Sequence, residues 1–146
     1  MKAITEFSLE IPTVPREDWP LKLRLLRRGR PTSLALPGRE LLHQFGDEAG
    51  FLFITDYDCP FEESIEFILC DAELVCRGRC TAGAPYCSVW LSHVEWIDHR
   101  HLRVELDRDG TWLLTIRSWG IPYLFPRLRL KRCKNVDTNN IIAQQG

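Results

Sequence analysis

The chain has 146 residues, with 19 Lys plus Arg against 20 Asp plus Glu and a net charge of -1. A hydrophobic content of 45% excludes intrinsic disorder, and the near-neutral charge excludes a wholesale nucleic-acid binder. No run approaches the roughly 18 apolar residues of a membrane-spanning helix.

In Met1 to Pro12 the acids Glu6 and Glu10 interrupt any apolar core of a secretory signal, so the cytoplasm is the expected location and the six cysteines are expected as thiols. The first extended segments are predicted at Phe7 to Ile11 and Leu21 to Arg28, separated by a loop that Pro12, Pro15 and Pro20 impose. Within the second, Lys22 and Arg24 alternate with Leu21, Leu23 and Leu25, as a strand with one wet face requires. Strands are predicted next at Leu41 to Phe45, Phe51 to Tyr57 and Ser64 to Cys70. One short helix near 59–66 competes for the linking stretch. Asp58 would cap it, Pro60 would sit near its first position, and Glu62 and Glu63 would favour its positive end.

The following strand, Val75 to Cys80, is predicted to fold back across a loop from Asp71 to Leu74. That register sets Cys70 against Val75, Leu69 against Cys76 and Ile65 against Cys80, with both cysteines on the dry face. Glu66 then meets Arg79 on the outside. Tyr86 to Ile97, His101 to Asp107 and Thr111 to Ser118 form a predicted meander. A turn at Asp98, His99 and Arg100 pairs Trp96 with Leu102 and Val94 with Val104, leaving Glu95 opposite Arg103 and His93 opposite Glu105. A loop of Arg108, Asp109 and Gly110 would pair Leu106 with Trp112, Val104 with Leu114 and Leu102 with Ile116. Burial favours this parity, because a one-residue slip would turn the apolar set outward. The last strand is predicted at Leu124 to Lys131, with Arg127, Arg129 and Lys131 alternating with leucines.

Many short strands at this spacing predict an all-β fold, a mainly antiparallel meander closing into a sandwich or barrel-like single domain over residues 1–134. Residues 135–146 are expected to form a flexible tail.

The net charge hides a segregation. Glu40 to Glu73 contains ten acids and no Lys or Arg; Arg16 to Arg39 holds seven bases against two acids, and Arg127 to Lys134 five bases and no acid. Separated blocks either neutralise one another within the fold or set up local potentials that steer a partner. The favoured function is therefore a non-catalytic protein-binding module, of inhibitor or immunity type, that meets a basic partner through Asp56, Asp58, Glu62, Glu63 and Glu66. The alternative is a small-ligand or zinc-binding barrel, lined by some of Trp90, Trp96, Trp112 and Trp119.

No catalytic residue, metal site or cofactor is assigned. Only Cys76 and Cys80 have zinc-ligand spacing, with Cys87 and His93 as remote completers, and residues four apart on a strand lie too far apart for one ion. The acids from Asp56 onward do not match a calcium loop, since its sixth and twelfth places hold Phe61 and Phe67. No phosphate loop or nucleophile elbow is present. Trp19, Tyr123 and Phe125 beside the basic blocks supply stacking groups, but no recognised nucleic-acid signature accompanies them. The edge of Tyr86 to Ile97 is the expected surface for pairing with a second copy.

Overall fold

The computed structural model describes residues 1–59, 62–83, 88–120 and 126–134, with the backbone alone described at 58, 59 and 62. It is nearly all β, and the antiparallel reading holds throughout. The described residues divide into two compact units, one before and one after the boundary between Ser88 and Val89. The expected tail at 135–146 lies outside the described residues.

The first unit contains two sheets. A five-stranded sheet runs in the order β1 (Lys2–Ala3), β5 (Glu40–Gly46), β6 (Gly50–Cys59), β7 (Glu62–Asp71) and β8 (Cys76–Ala82). A three-stranded sheet comprises β2 (Phe7–Leu9), β3 (Lys22–Arg27) and β4 (Arg30–Pro37). The expected alternation of β3 is present: Leu23 and Leu25 are buried, while Lys22, Arg24 and Arg27 face solvent. The proline-rich link between β2 and β3 carries one 3-10 turn, Arg16–Asp18.

The two sheets meet through an aromatic core. Phe7, Leu25 and Leu36 from the smaller sheet pack with Phe51, Phe53, Ile68 and Cys70 from the larger. Phe7 stands edge-on to both Phe51 and Phe53, with centroids 5.0 Å away in each case. Such contacts add to the area burial of large rings. The Gln44 side chain also joins the sheets: its Oε1 accepts from the Phe7 amide and its Nε2 donates to the Phe7 carbonyl, both at 2.9 Å. An amide side chain here satisfies a backbone as a neighbouring strand would.

Both faces of the central β6–β7 pair are dry. Phe51, Phe53, Ile68 and Cys70 occupy one face, and Leu52, Ile54, Ile65, Phe67 and Leu69 are buried on the other. This accounts for the unbroken apolar run Phe51 to Ile54, since a strand buried on both sides loses its alternation.

The helix expected near 59–66 is not formed. Strand β6 continues to Cys59 and β7 begins at Glu62, and their ladder runs from Gly50↔Asp71 to Cys59↔Glu62. Ten rungs of pairing, five of them with a buried apolar residue on one strand or both, outweigh the few capping contacts that a single helical turn at Asp58 could make. Pro60 and Phe61 lie outside the described residues.

The β7–β8 register also differs from expectation. Cys70 faces Cys76, and beyond a bulge Leu69 faces Gly78, Phe67 faces Cys80 and Ile65 faces Ala82. Arg77 is the extra residue on β8, and one inserted residue exchanges the faces on either side of it. Cys76 is consequently exposed on the other face, whereas Cys80 keeps the expected face beside Phe67 and is half-buried.

The second unit is a four-stranded sheet in the order β12 (Leu128–Arg132), β11 (Gly110–Ile116), β10 (His101–Asp107) and β9 (Trp90–Trp96). The β9–β10 register matches the sequence reading, including Glu95 opposite Arg103, which form an ion pair at 2.5 Å. Strand β9 is an edge, as expected; Tyr86 and Cys87 of the predicted strand lie outside the described residues. Across β10–β11, Leu102 meets Leu114 and Val104 meets Trp112, two residues from the expected register but with the same faces. The loop is Asp107 to Asp109, with Arg108 and Gly110 both in the left-handed region. Leu113 is also buried, although it points to the opposite side from Trp112 and Leu114. Each of the three sheets is open, and no closed barrel is formed among the described residues.

Candidate protein-binding site

The five acids singled out from the sequence all lie along the β6–β7 hairpin, but the structure uses them differently. Asp56 is committed to the fold. Its Oδ1 accepts from the Arg39 and Glu40 amides at 3.1 and 2.6 Å, and its backbone carbonyl accepts from Arg39 at 3.2 Å. Beside it, the buried Thr55 hydroxyl donates to the Pro37 carbonyl at 2.6 Å. These bonds clamp the β4–β5 turn onto the middle of β6.

Glu66 is also committed, and it is buried where an outside position was expected. It lies on the face of Thr55, Ile68 and Cys70, which packs towards the smaller sheet. Burial of a carboxylate is tolerated only with partners. Here Arg79 Nε stands 2.7 Å from Oε2, and the Thr81 hydroxyl donates to Oε1 at 3.0 Å. The Glu66–Arg79 association expected from sequence therefore exists, made diagonally because Thr81 is the direct cross-strand neighbour.

Asp58, Glu62 and Glu63 are brought together at the far end of the hairpin. The last rung with β5 is Glu40↔Asp56, and the last with β8 is Ile65↔Ala82. Beyond them the hairpin continues for three rungs, Tyr57↔Ser64, Asp58↔Glu63 and Cys59↔Glu62, without a third strand in the ladder among the described residues. Two acids, Asp58 and Glu63, are directly opposed there. Like charges in this position are destabilising by a few tenths to about 1 kcal/mol. Glu63 also carries a buried Oε2 with no hydrogen-bond partner among the described residues.

Arg27 and Arg28 pair with Glu6, and Arg24 lies 3.9 Å from Glu10, so strand β3 finds its acids within and beside its own sheet. Arg77 and Arg79 pair with Asp71 and Glu66.

Asp71 organises the β7–β8 turn. Its Oδ1 accepts from the Glu73 and Val75 amides at 3.0 and 2.9 Å, and Oδ2 meets Arg77. The Val75 amide bond foremost, opposed by desolvation and reinforced by Arg77, holds this carboxyl below its usual range. Because the folded value lies below the unfolded one, its stabilisation is complete above the ordinary carboxylate range and is lost as pH falls through the folded value. Asp71→Asn is expected to lower the melting temperature near neutrality, with the gap to wild type closing in strong acid. A gap independent of pH in thermal melts would contradict this role.

Sequence reasoning missed the Cys70–Cys76 juxtaposition. The buried Cys70 faces exposed Cys76 directly across the β7–β8 ladder. Interaction between the paired thiols lowers the Cys76 thiol and raises Cys70; the positive charges of Arg79 and Lys22 act in the same direction on Cys76, while burial opposes them. Its signal, a bulge at Arg77, is not legible in residue periodicity.

Among the described residues, no group of three or more metal-ligating side chains converges, and Cys87 of the weighed zinc set lies outside them. No described helix is long and apolar enough to cross a membrane. Searches of protein families, curated sequences and solved structures returned no match for this chain.

Proposed function

We propose that the chain is a non-catalytic protein-binding module that engages a basic partner through the acidic end of the β6–β7 hairpin, with Asp58, Glu62 and Glu63 as the contact residues. An inhibitor or immunity-type role, in which the module covers a cationic surface of its partner, fits this layout. The observation that carries the reading is the directly opposed pair Asp58↔Glu63, on rungs beyond the last ones that β5 and β8 share with this hairpin among the described residues. Directly opposed like charges disfavour one another, and a Lys- or Arg-rich surface would offset that on docking. Asp56 and Glu66 hold the base of the hairpin and set the position of its end.

The test is affinity capture from a lysate at low salt, comparing wild type with Asp58→Asn/Glu62→Gln/Glu63→Gln and identifying bound proteins by mass spectrometry. The expected result is a basic protein retained by wild type, displaced by raised salt and absent with the variant. A capture profile unchanged by both salt and substitution would discard the proposal.

A further inference from the structure

A second feature, independent of the acidic hairpin end, lies at the opposite end of β7. Cys70 is the penultimate residue of this strand and Cys76 opens β8, and the bulge at Arg77 leaves the two in direct cross-strand register. Directly opposed residues of an antiparallel pair have Cα atoms about 4.5–5.5 Å apart, within the roughly 4.4–6.8 Å range a disulfide spans. The accessibility of the two thiols is unequal: Cys76 is exposed on an edge strand, whereas Cys70 sits in the aromatic core at 2% exposure.

We propose that Cys70 and Cys76 are a reversible redox pair, in which Cys76 reacts first with a low-molecular-weight disulfide and Cys70 resolves the adduct. With glutathione disulfide, the Cys76 thiolate attacks one sulfur, a Cys76–glutathione bond forms, and the glutathione S–S bond breaks. The departing glutathione thiolate takes up the proton that Cys76 lost. Cys70 then loses its proton and attacks the Cys76 sulfur, forming the protein disulfide and expelling the second glutathione as its thiol. Two protein thiols are oxidised by two electrons, and one glutathione disulfide is reduced to two thiols. The division of roles follows from access: a bulky disulfide reaches the edge-strand thiol, while only an intramolecular attack reaches the buried one. The product would staple the mouth of the β7–β8 hairpin across the turn that Asp71 organises.

The experiment exposes the full chain to glutathione disulfide, quenches free thiols by alkylation, and maps products after chymotryptic cleavage following Leu69 and Leu74. Wild type is expected to give a Cys70–Cys76 link that a dithiol reverses. Cys70→Ser should instead stop at a stable glutathione adduct on Cys76, and Cys76→Ser should leave Cys70 unmodified. Cys70→Ala, which keeps apolar packing, serves as the folding control and should also accumulate the adduct. A persistent Cys76 adduct in wild type, linkage of either thiol to a different cysteine, or no reaction at Cys76 would overturn the proposal.

Discussion

Replacing Phe53 with alanine should lower the unfolding free energy by about 4 kcal/mol, within the range seen when a buried aromatic ring is removed. Phe53 is fully buried, stands edge-on to Phe7 at 5.0 Å and lies 6.1 Å from the Phe51 ring. Its neighbours come from both sheets of the first unit, including Leu25, Leu36 and Ile68. No single strand can shift to refill the space without disturbing a ladder, so the transfer and cavity costs add. Domains are stable by only about 5–15 kcal/mol, so this one change removes a large share of the total. Urea unfolding should show a lower midpoint with an unchanged slope. Val75→Ala, at a residue 49% exposed, should change stability by no more than about 0.5 kcal/mol. Equal losses for the two variants would refute the assigned core.

Gly38→Ala should be comparably severe, by about 3 kcal/mol or more, through backbone strain and a clash together. Gly38 has φ +105, and a Cβ there would stand 1.7 Å from the Asp56 carbonyl oxygen and 3.1 Å from Thr55 Oγ1. The obstacle is the backbone of β6, which no rotamer change can move aside. The turn would have to lift away, losing the Arg39–Asp56 and Thr55–Pro37 bonds that brace the acidic hairpin. Gly29→Ala provides the comparison: its φ is +78, but nothing lies within 4 Å of the added Cβ. It should cost only about 1 kcal/mol, from the left-handed backbone alone. Similar melting temperatures for the two alanine variants would show that the Gly38 contact does not brace the hairpin.

The strand content was legible because apolar alternation and turn residues act locally. The β9–β10 register was legible because two kinds of pairing agree: Val94 and Trp96 find Val104 and Leu102, while Glu95 finds Arg103. At β10–β11 the same logic fixed the faces but not the shift. A displacement by two residues keeps every side chain on its side, and the loop conformation at Arg108 and Gly110 decides between the alternatives. Strand β4 was missed because Pro31 and Pro37 interrupt its pattern. Its signal is the two-residue Arg28–Gly29 turn, with φ of 51 and 78, which suits a tight hairpin. Pro31 is accommodated because β4 is an edge of its sheet.

The acidic cluster was likewise visible as a group but not by individual role. Ile65 to Cys70 contains one acid in an otherwise apolar stretch buried on both faces, so alternation could not say where Glu66 points. Its burial follows from sharing a face with Thr55 and Ile68, a consequence of the β6–β7 register. Asp56 and Glu66 thus belong to the framework, which narrows the proposed contact to the three acids beyond them.

That division can be measured on the isolated protein by thermal unfolding at low ionic strength. If Asp58, Glu62 and Glu63 are held at the hairpin end for a partner, replacing them with Asn, Gln and Gln relieves repulsion. The melting temperature should then rise, by an amount corresponding to a few tenths to about 1 kcal/mol, with the gain shrinking as salt is added. A lower melting temperature in the neutralised variant would mean these carboxylates hold the fold together, and would contradict their assignment as a docking surface.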